Sequence, residues 1–167
     1  LDREVGELGK VIRAKKSQRI PVVMTREEVK SVLAQLGGDK LLIASLLYGA
    51  GVRLMECLRL RVKDIDFGRN EVTIHDGKGV KDRVTMLPGS VKRPLEEHLR
   101  MVKATHEKDM RDGWGRVQMP DALDRKYPKA SADWRWQWVF PQEPRWVDHA
   151  NNQQGRHHVH ESIIQKA

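Results

Sequence analysis

The run Leu41-Leu42-Ile43-Ala44-Ser45-Leu46-Leu47, closed by Gly49 and Gly51, constrains the fold more than any other stretch. It is apolar on nearly every side, which predicts a helix buried at the centre of a domain. The whole run, 41–51, is too short to span a bilayer. A chain of 167 residues is long enough to bury such a helix within one domain of ordinary size. With 39% hydrophobic and 32% charged residues, the composition is that of a soluble globular chain.

The flanking segments supply the rest of the architecture. Thr25 and Glu28 stand at capping-box spacing. Val29, Val32, Leu33 and Leu36 recur on one face of the helix they begin, and Gly37-Gly38 stops it. Residues 54–60 form a second short helical run with Arg53 at its head. Residues 71–75 and 83–87 alternate and are rich in β-branched side chains. Between them Asp76-Gly77-Lys78-Gly79-Val80-Lys81-Asp82 has turn chemistry, predicting a hairpin with a glycine-rich basic tip. A long amphipathic helix is expected over 90–112, with Leu95, Leu99, Val102, His106 and Met110 on one face. Glu96–Arg100 and Glu107–Arg111 are spaced for ion pairs on its outer face. All five tryptophans, Trp114, Trp134, Trp136, Trp138 and Trp146, follow. A short helix is expected over 121–126, an extended segment over 138–141, an exposed polar loop over 142–156, and a helical pattern from Glu161 onward. The fold class is therefore α+β, mainly α-helical with a small antiparallel β-sheet or hairpin.

Lys plus Arg outnumber Asp plus Glu by 31 to 23, a formal charge of +8 that points to an anionic partner. Residues 1–20 carry Arg13, Lys15, Lys16 and Arg19 and read as a basic linker, either solvated or following a phosphate backbone. The single cysteine, Cys57, lies in a leucine-rich stretch and reads as a small buried apolar residue. His157-His158-Val159-His160 has no Cys or acidic partner at familiar ligand spacing, so neither a metal nor another cofactor is expected. No signal-peptide pattern is present, and the expected compartment is the cytoplasm.

Two elements carry chemistry. Arg53 follows a glycine turn, where backbone can approach a ligand closely, and its planar fork matches two phosphate oxygens. Glu56 lies one turn further along the same face, placed to hold the guanidinium. Taken alone this is an ordinary surface ion pair. Lys78, between Gly77 and Gly79, can swing into a site and donate a proton. Taken alone it is a solvated turn. Lys81, Arg83 and Arg59 add positive charge suited to phosphate contacts.

In order and spacing the two elements say more. A buried helix is followed by Gly-x-Gly-Arg-x-x-Glu, a short basic helix, an Asp-Ile-Asp loop, a strand, a Gly-Lys-Gly-x-Lys-Asp-Arg hairpin and an apolar strand ending in Leu-Pro. Over residues 21–100 this resembles the first half of the catalytic domain of tyrosine recombinases, the family of phage integrases, Xer-type recombinases and integron integrases. The resemblance implies a covalent 3′-phosphotyrosyl intermediate formed without metal or external energy. It implies that Arg53 is the first of two phosphate-clamping arginines, that Lys78 protonates the leaving 5′-oxygen, and that Glu56 supports the arginine.

The stretch from Met55 to Asp66, and Leu123-Asp124-Arg125-Lys126-Tyr127-Pro128-Lys129-Ala130 with its trailing tryptophans, resemble integron integrases in particular. Residues 113–140 then correspond to an insertion that helps bind folded single-stranded recombination sites, where unpaired bases stack on aromatic rings. Most of the tryptophans are expected to pack the insertion and one or two to face DNA. Arg156-His157-His158 also resembles a stretch of that subfamily, which places His157 and His158 near DNA.

A His-x-x-Arg motif followed by a later nucleophilic tyrosine is not found, and neither Tyr48 nor Tyr127 matches the nucleophile's position. The resulting expectation is an internal piece of a recombinase: a linker over 1–20 and the N-terminal part of the catalytic domain over 21–167. Such a piece binds double-stranded and folded single-stranded sites and contributes part of the phosphate clamp. It joins a synaptic tetramer when full-length and does not cleave alone. The competing reading is a non-catalytic DNA-binding module, which needs the basic surface but not Arg53 and Lys78 together.

Overall fold

A computed structural model of the chain describes residues 22–77, 81–120, 123–148 and 153–167. Helix α1 (Arg26–Leu33) starts as its spacing predicts. The Glu28 backbone N–H donates to the Thr25 hydroxyl at 3.2 Å, and the Thr25 N–H donates to the Glu28 carboxylate at 2.7 Å. The helix lies at the surface: Val29 and Leu33 are half-buried, and Val32 is exposed.

Helix α2 (Gly38–Ala50) sends Leu42, Ile43, Leu46 and Ala50 into the core and packs on α3 (Leu54–Leu58) and α4 (Gly89–Arg111). The all-round burial expected from its composition is not what forms, because Leu41 and Tyr48 face outward. The two glycines also differ from a shared terminating role. Gly51 caps the helix at φ +63°, a left-handed conformation that glycine adopts without a steric penalty. Gly49 lies inside the helix, against Pro88. Cys57, on α3, is fully buried, and burial pushes its thiol up to about 12, consistent with a packing role.

The first sheet has three antiparallel strands, β1 (Ile65–Asp66), β2 (Glu71–Gly77) and β3 (Lys81–Met86). The Asp-Ile-Asp stretch, read from sequence as a loop, thus contributes an edge strand in which Ile65 opposes Val72. Its turn is closed by the Asp66 carboxylate, which accepts from the Gly68 and Arg69 N–H groups at 2.9 Å each. Val72 and Ile74 point into the core, and their cross-strand partners Thr85 and Arg83 share that side of the sheet. The Thr85 hydroxyl donates to the Ala50 carbonyl at 2.8 Å, tying the sheet to the end of α2.

Along α4 the buried stripe runs through Val91, Leu95, Leu99 and Val102, as periodicity predicts. At the next turns the pattern changes: Asp109 is buried and Met110 is 46% exposed. The cause is tertiary. Arg145 and Arg156 reach the Asp109 carboxylate from a second hairpin, Arg145 Nη2 at 2.6 Å. On the outer face Glu97 takes the ion pairs, with Arg93 at 3.3 Å and Arg100 at 3.9 Å, where the spacing points to Glu96.

That second hairpin is the largest departure from expectation. Residues 142–148 and 153–156 lie in two paired strands, β4 (Pro141–Asp148) and β5 (Gln153–His158), not in a loop. Arg145 opposes Arg156 across the pair, and both turn toward Asp109. Gly155 opposes Trp146 and touches the backbone of Arg116, where a side chain would run into the Arg116 carbonyl. Residues 113–140 hold α5 (Leu123–Lys126) and two 3₁₀ turns around a small core of Val117, Met119 and Trp138. This layer is stitched to the main domain by Val62 N–H to Gln137 O (3.0 Å) and Val139 N–H to Leu60 O (2.9 Å). Val139 and Phe140 then enter the main core. The chain ends in a short helix, α6 (Ser162–Gln165). No helix among the described residues is long and apolar enough to cross a membrane.

Candidate active site

Arg53 is the residue preceding α3, on the turn that follows Gly51. Its backbone N–H donates to Glu56 Oε2 at 2.8 Å, and its Nη1 donates to Glu56 Oε1 at 2.7 Å. Arg83, from β3, donates through Nη1 and Nη2 to the same two oxygens at 2.9 and 2.8 Å. Glu56 therefore accepts four hydrogen bonds, with its side chain only 10% exposed. Arg83 first, and then Arg53, hold its carboxyl down to about 2 against the upward pull of burial. The Arg53 side chain is 58% exposed. Its guanidinium thus reaches solvent while one edge is fixed, the posture of a side chain pre-organised for an anion.

Arg53 opens onto a cleft of about 640 Å³. Arg59 and Lys63 line it with Arg53, and residues 113–140 supply Pro120, Leu123 and Trp136. His75 also faces this cleft from β2, with Nδ1 2.8 Å from Asp82 and Nε2 3.2 Å from Asp64. Lys63 Nζ lies 3.1 Å from Asp64 and 4.5 Å from the centre of the Trp136 ring. Arg61 forms the floor, 7% exposed, its guanidinium carbon 3.9 Å from the centre of the Trp138 ring. It donates to the carbonyls of Trp136 at 2.7 Å and Gln118 at 2.8 Å. Burial lowers its pKa to about 10, so it stays charged at neutral pH.

Of the site residues named from sequence, Arg53, Glu56 and Arg83 are joined by hydrogen bonds between the start of α3 and β3, and Arg59, just after α3, lines the cleft with Arg53. Lys81 begins β3 opposite Gly77. Lys78, Lys15 and Lys16 lie outside the described residues. His157 and His158 sit on β5, away from this group in their contacts. His157 stacks on Trp146 with centroids 4.9 Å apart, and His158 meets Trp138 edge-on at 5.3 Å. Burial, then the neighbouring His158, push the His157 pKa down. Among the described residues, no group of three or more His, Cys, Asp or Glu is placed to hold a metal ion.

Sequence reasoning missed Lys63 and His75 as cleft residues. The signal for His75 was present, since strand alternation puts Glu71, Thr73 and His75 on the face opposite Val72 and Ile74. Arg61 and Trp136 carried no local signal, because their partners are about 60–75 residues away in sequence.

Residues 10–166 match the phage integrase family. An integrase/recombinase of Escherichia coli is 43% identical over 160 residues, covering 96% of this chain and 48% of the relative. An integrase/recombinase of Pseudomonas aeruginosa gives the same values. The tyrosine recombinase XerA of Thermococcus onnurineus is 36% identical over 96 residues, 56% of this chain and 34% of the relative. The chain spans about half the length of the two integrase/recombinase relatives.

Proposed function

The chain belongs to the phage integrase family, and from that premise we propose that it supplies the first half of a phosphate-activating site for site-specific DNA strand exchange. The observation that carries this reading is Arg53, fixed along one edge by Glu56 and exposed above a cleft that also holds Arg59 and Lys63. In the proposed reaction a tyrosine phenolate oxygen attacks a DNA phosphorus. A 3′-phosphotyrosyl bond forms, the bond to the 5′-oxygen breaks, and Lys78 gives that oxygen its proton. Arg53 stabilises the charge that builds on the non-bridging oxygens, and Glu56 orients Arg53. The sequence offers no tyrosine in the nucleophile's expected context, so the attacking group comes from outside these residues.

Arg59, Lys81, Lys15 and Lys16 are proposed as phosphate contacts, with Arg83, His157 and His158 near the same DNA. Residues 1–20 serve as the linker and 21–167 as part of the catalytic domain. The integron-integrase subtype is favoured by residues 113–140, whose Trp136 borders the cleft beside Lys63 and whose aromatic surface suits unpaired bases. Assembly into a synaptic tetramer and a cytoplasmic location complete the proposal.

The test separates an enzyme from a binding module. When the chain is placed in a full-length recombinase, Lys78→Ala is expected to lower strand cleavage about 100-fold or more while changing DNA affinity little. Equal losses in both would favour a non-catalytic module. The 167-residue chain alone is expected to bind DNA and to form no covalent adduct on a nicked suicide substrate. An adduct would refute the placement of the nucleophile elsewhere.

A further inference from the structure

We propose that Arg83 is a positioning residue: by occupying Glu56 it leaves the charge of Arg53 uncompensated and available to a DNA phosphate. The inference rests on the reading of Arg53 as a phosphate ligand and assigns Arg83 a different task from the direct DNA contact expected of it.

The geometry divides one carboxylate between two guanidiniums unequally. Arg83 takes both oxygens, Nη1 to Oε1 at 2.9 Å and Nη2 to Oε2 at 2.8 Å, the bidentate arrangement that gives the strongest pairing. Arg53 receives one side-chain bond, at 2.7 Å, and one through its backbone N–H. Four bonds use the acceptor capacity of a carboxylate, about four lone-pair sites. Glu56 thus has no further oxygen with which to embrace Arg53. One negative charge against two positive ones leaves a single net positive charge in the group. Arg83 shares the core-facing side of β3 with Thr85 and has a side chain 36% exposed, against 58% for Arg53. The surplus therefore sits at Arg53, on the cleft side.

Removing Arg83 changes the balance at Arg53 without touching it. Both Glu56 oxygens become available, and the same fork pairing forms with Arg53 instead. The pair is then neutral, and the N–H groups that would meet a phosphate are engaged. Charge at Arg53 is thus governed by a residue 30 positions away on another element. This also explains why an acidic residue can sit beside a phosphate-binding arginine without cancelling it.

The experiment measures binding of the 167-residue chain to a short DNA duplex across a salt series, with thermal unfolding of every variant as a folding control. Arg53→Ala is expected to reduce the slope of log K against log salt by about 0.9, the value of one phosphate contact. Arg83→Met is expected to lower it equally, and Arg53→Ala with Arg83→Met to lower it no further. Glu56→Gln combined with Arg83→Met restores the net charge and is expected to recover the wild-type slope. Arg83→Lys, which keeps the charge, is expected to retain most of it. Arg83→Gln replaces Arg83→Met throughout if the latter fails to unfold cooperatively. Additive losses in the Arg53/Arg83 double variant, or no recovery with Glu56→Gln, would make Arg83 a direct phosphate ligand and overturn the proposal. So would an unchanged slope in Arg83→Met. An unchanged slope in Arg53→Ala is a separate failure, which removes the phosphate reading of Arg53 itself and this inference with it.

Discussion

Gly49 of α2 and Pro88 are in direct contact: a Cβ at position 49 would stand 2.5 Å from Pro88 Cγ. The end of α2 and the entry to α4 are thereby locked together one turn before Arg53. Gly49→Ala removes the helix penalty of glycine, about 1 kcal/mol, but forces a methyl into a rigid ring at roughly 1–3 kcal/mol. The expected result is a net loss of about 1 kcal/mol and a thermal midpoint lower by roughly 2–4 °C. An equal or higher midpoint would show that the contact relaxes freely.

His98 predicts a pH dependence. It is 6% exposed, with Nε2 2.7 Å from the Val139 carbonyl and Nδ1 3.1 Å from Asp39. Both partners are acceptors, so both ring nitrogens are called on to donate and the imidazolium is favoured. Burial is the largest single influence and pulls its pKa down, yet Asp39 and the Val139 carbonyl outweigh it and the net shift is upward from 6.5. Asp39 is lowered from 3.8, chiefly by its bond to His98. The His98 contribution is therefore complete below pH 6.5 and lost as pH rises through its raised value. The Asp39 contribution is complete above pH 3.8 and lost as pH falls through its lowered one. Thermal midpoints should fall from mildly acidic to mildly alkaline pH, and His98→Gln should flatten that fall. A variant that keeps the wild-type slope would place its origin elsewhere.

Arg61 predicts a local rather than a global effect. Its guanidinium holds the carbonyls of Trp136 and Gln118 and lies over Trp138. Arg61→Met keeps apolar bulk but removes two charge-assisted bonds, each worth about 1.5–3 kcal/mol. Amide exchange across 117–138 should quicken by far more than exchange in α2. Uniform quickening would mean that the two layers open as one unit.

What was legible in the sequence is what local chemistry encodes. The Thr25–Glu28 cap, the pairing of β2 with β3 and the buried stripe of α4 through Val102 all follow from local sequence pattern. Arg53 and Glu56 were likewise readable as neighbours on one turn. The β4–β5 hairpin was not, because its strands carry arginine, histidine and glutamine where a strand usually shows alternating apolar residues. Those side chains make sense only once Asp109 is brought to them from α4. The partnership of Arg83 with Glu56 was hidden for the same reason, spanning 27 residues of sequence and joining a strand to a helix.

Helix α4, with 23 residues, is about 35 Å long. One end abuts the Gly49–Pro88 contact, four residues before Arg53, and the other ends beside the Asp109 carboxylate that grips the second hairpin. Mechanically it is a strut with a fastening at each tip. A load applied to the hairpin reaches the turn of Arg53 along one helix, in which Pro94 removes a backbone hydrogen bond near the Arg53 end. The spacing between those two regions is consequently set by the length of one helix, like the span of a ruler.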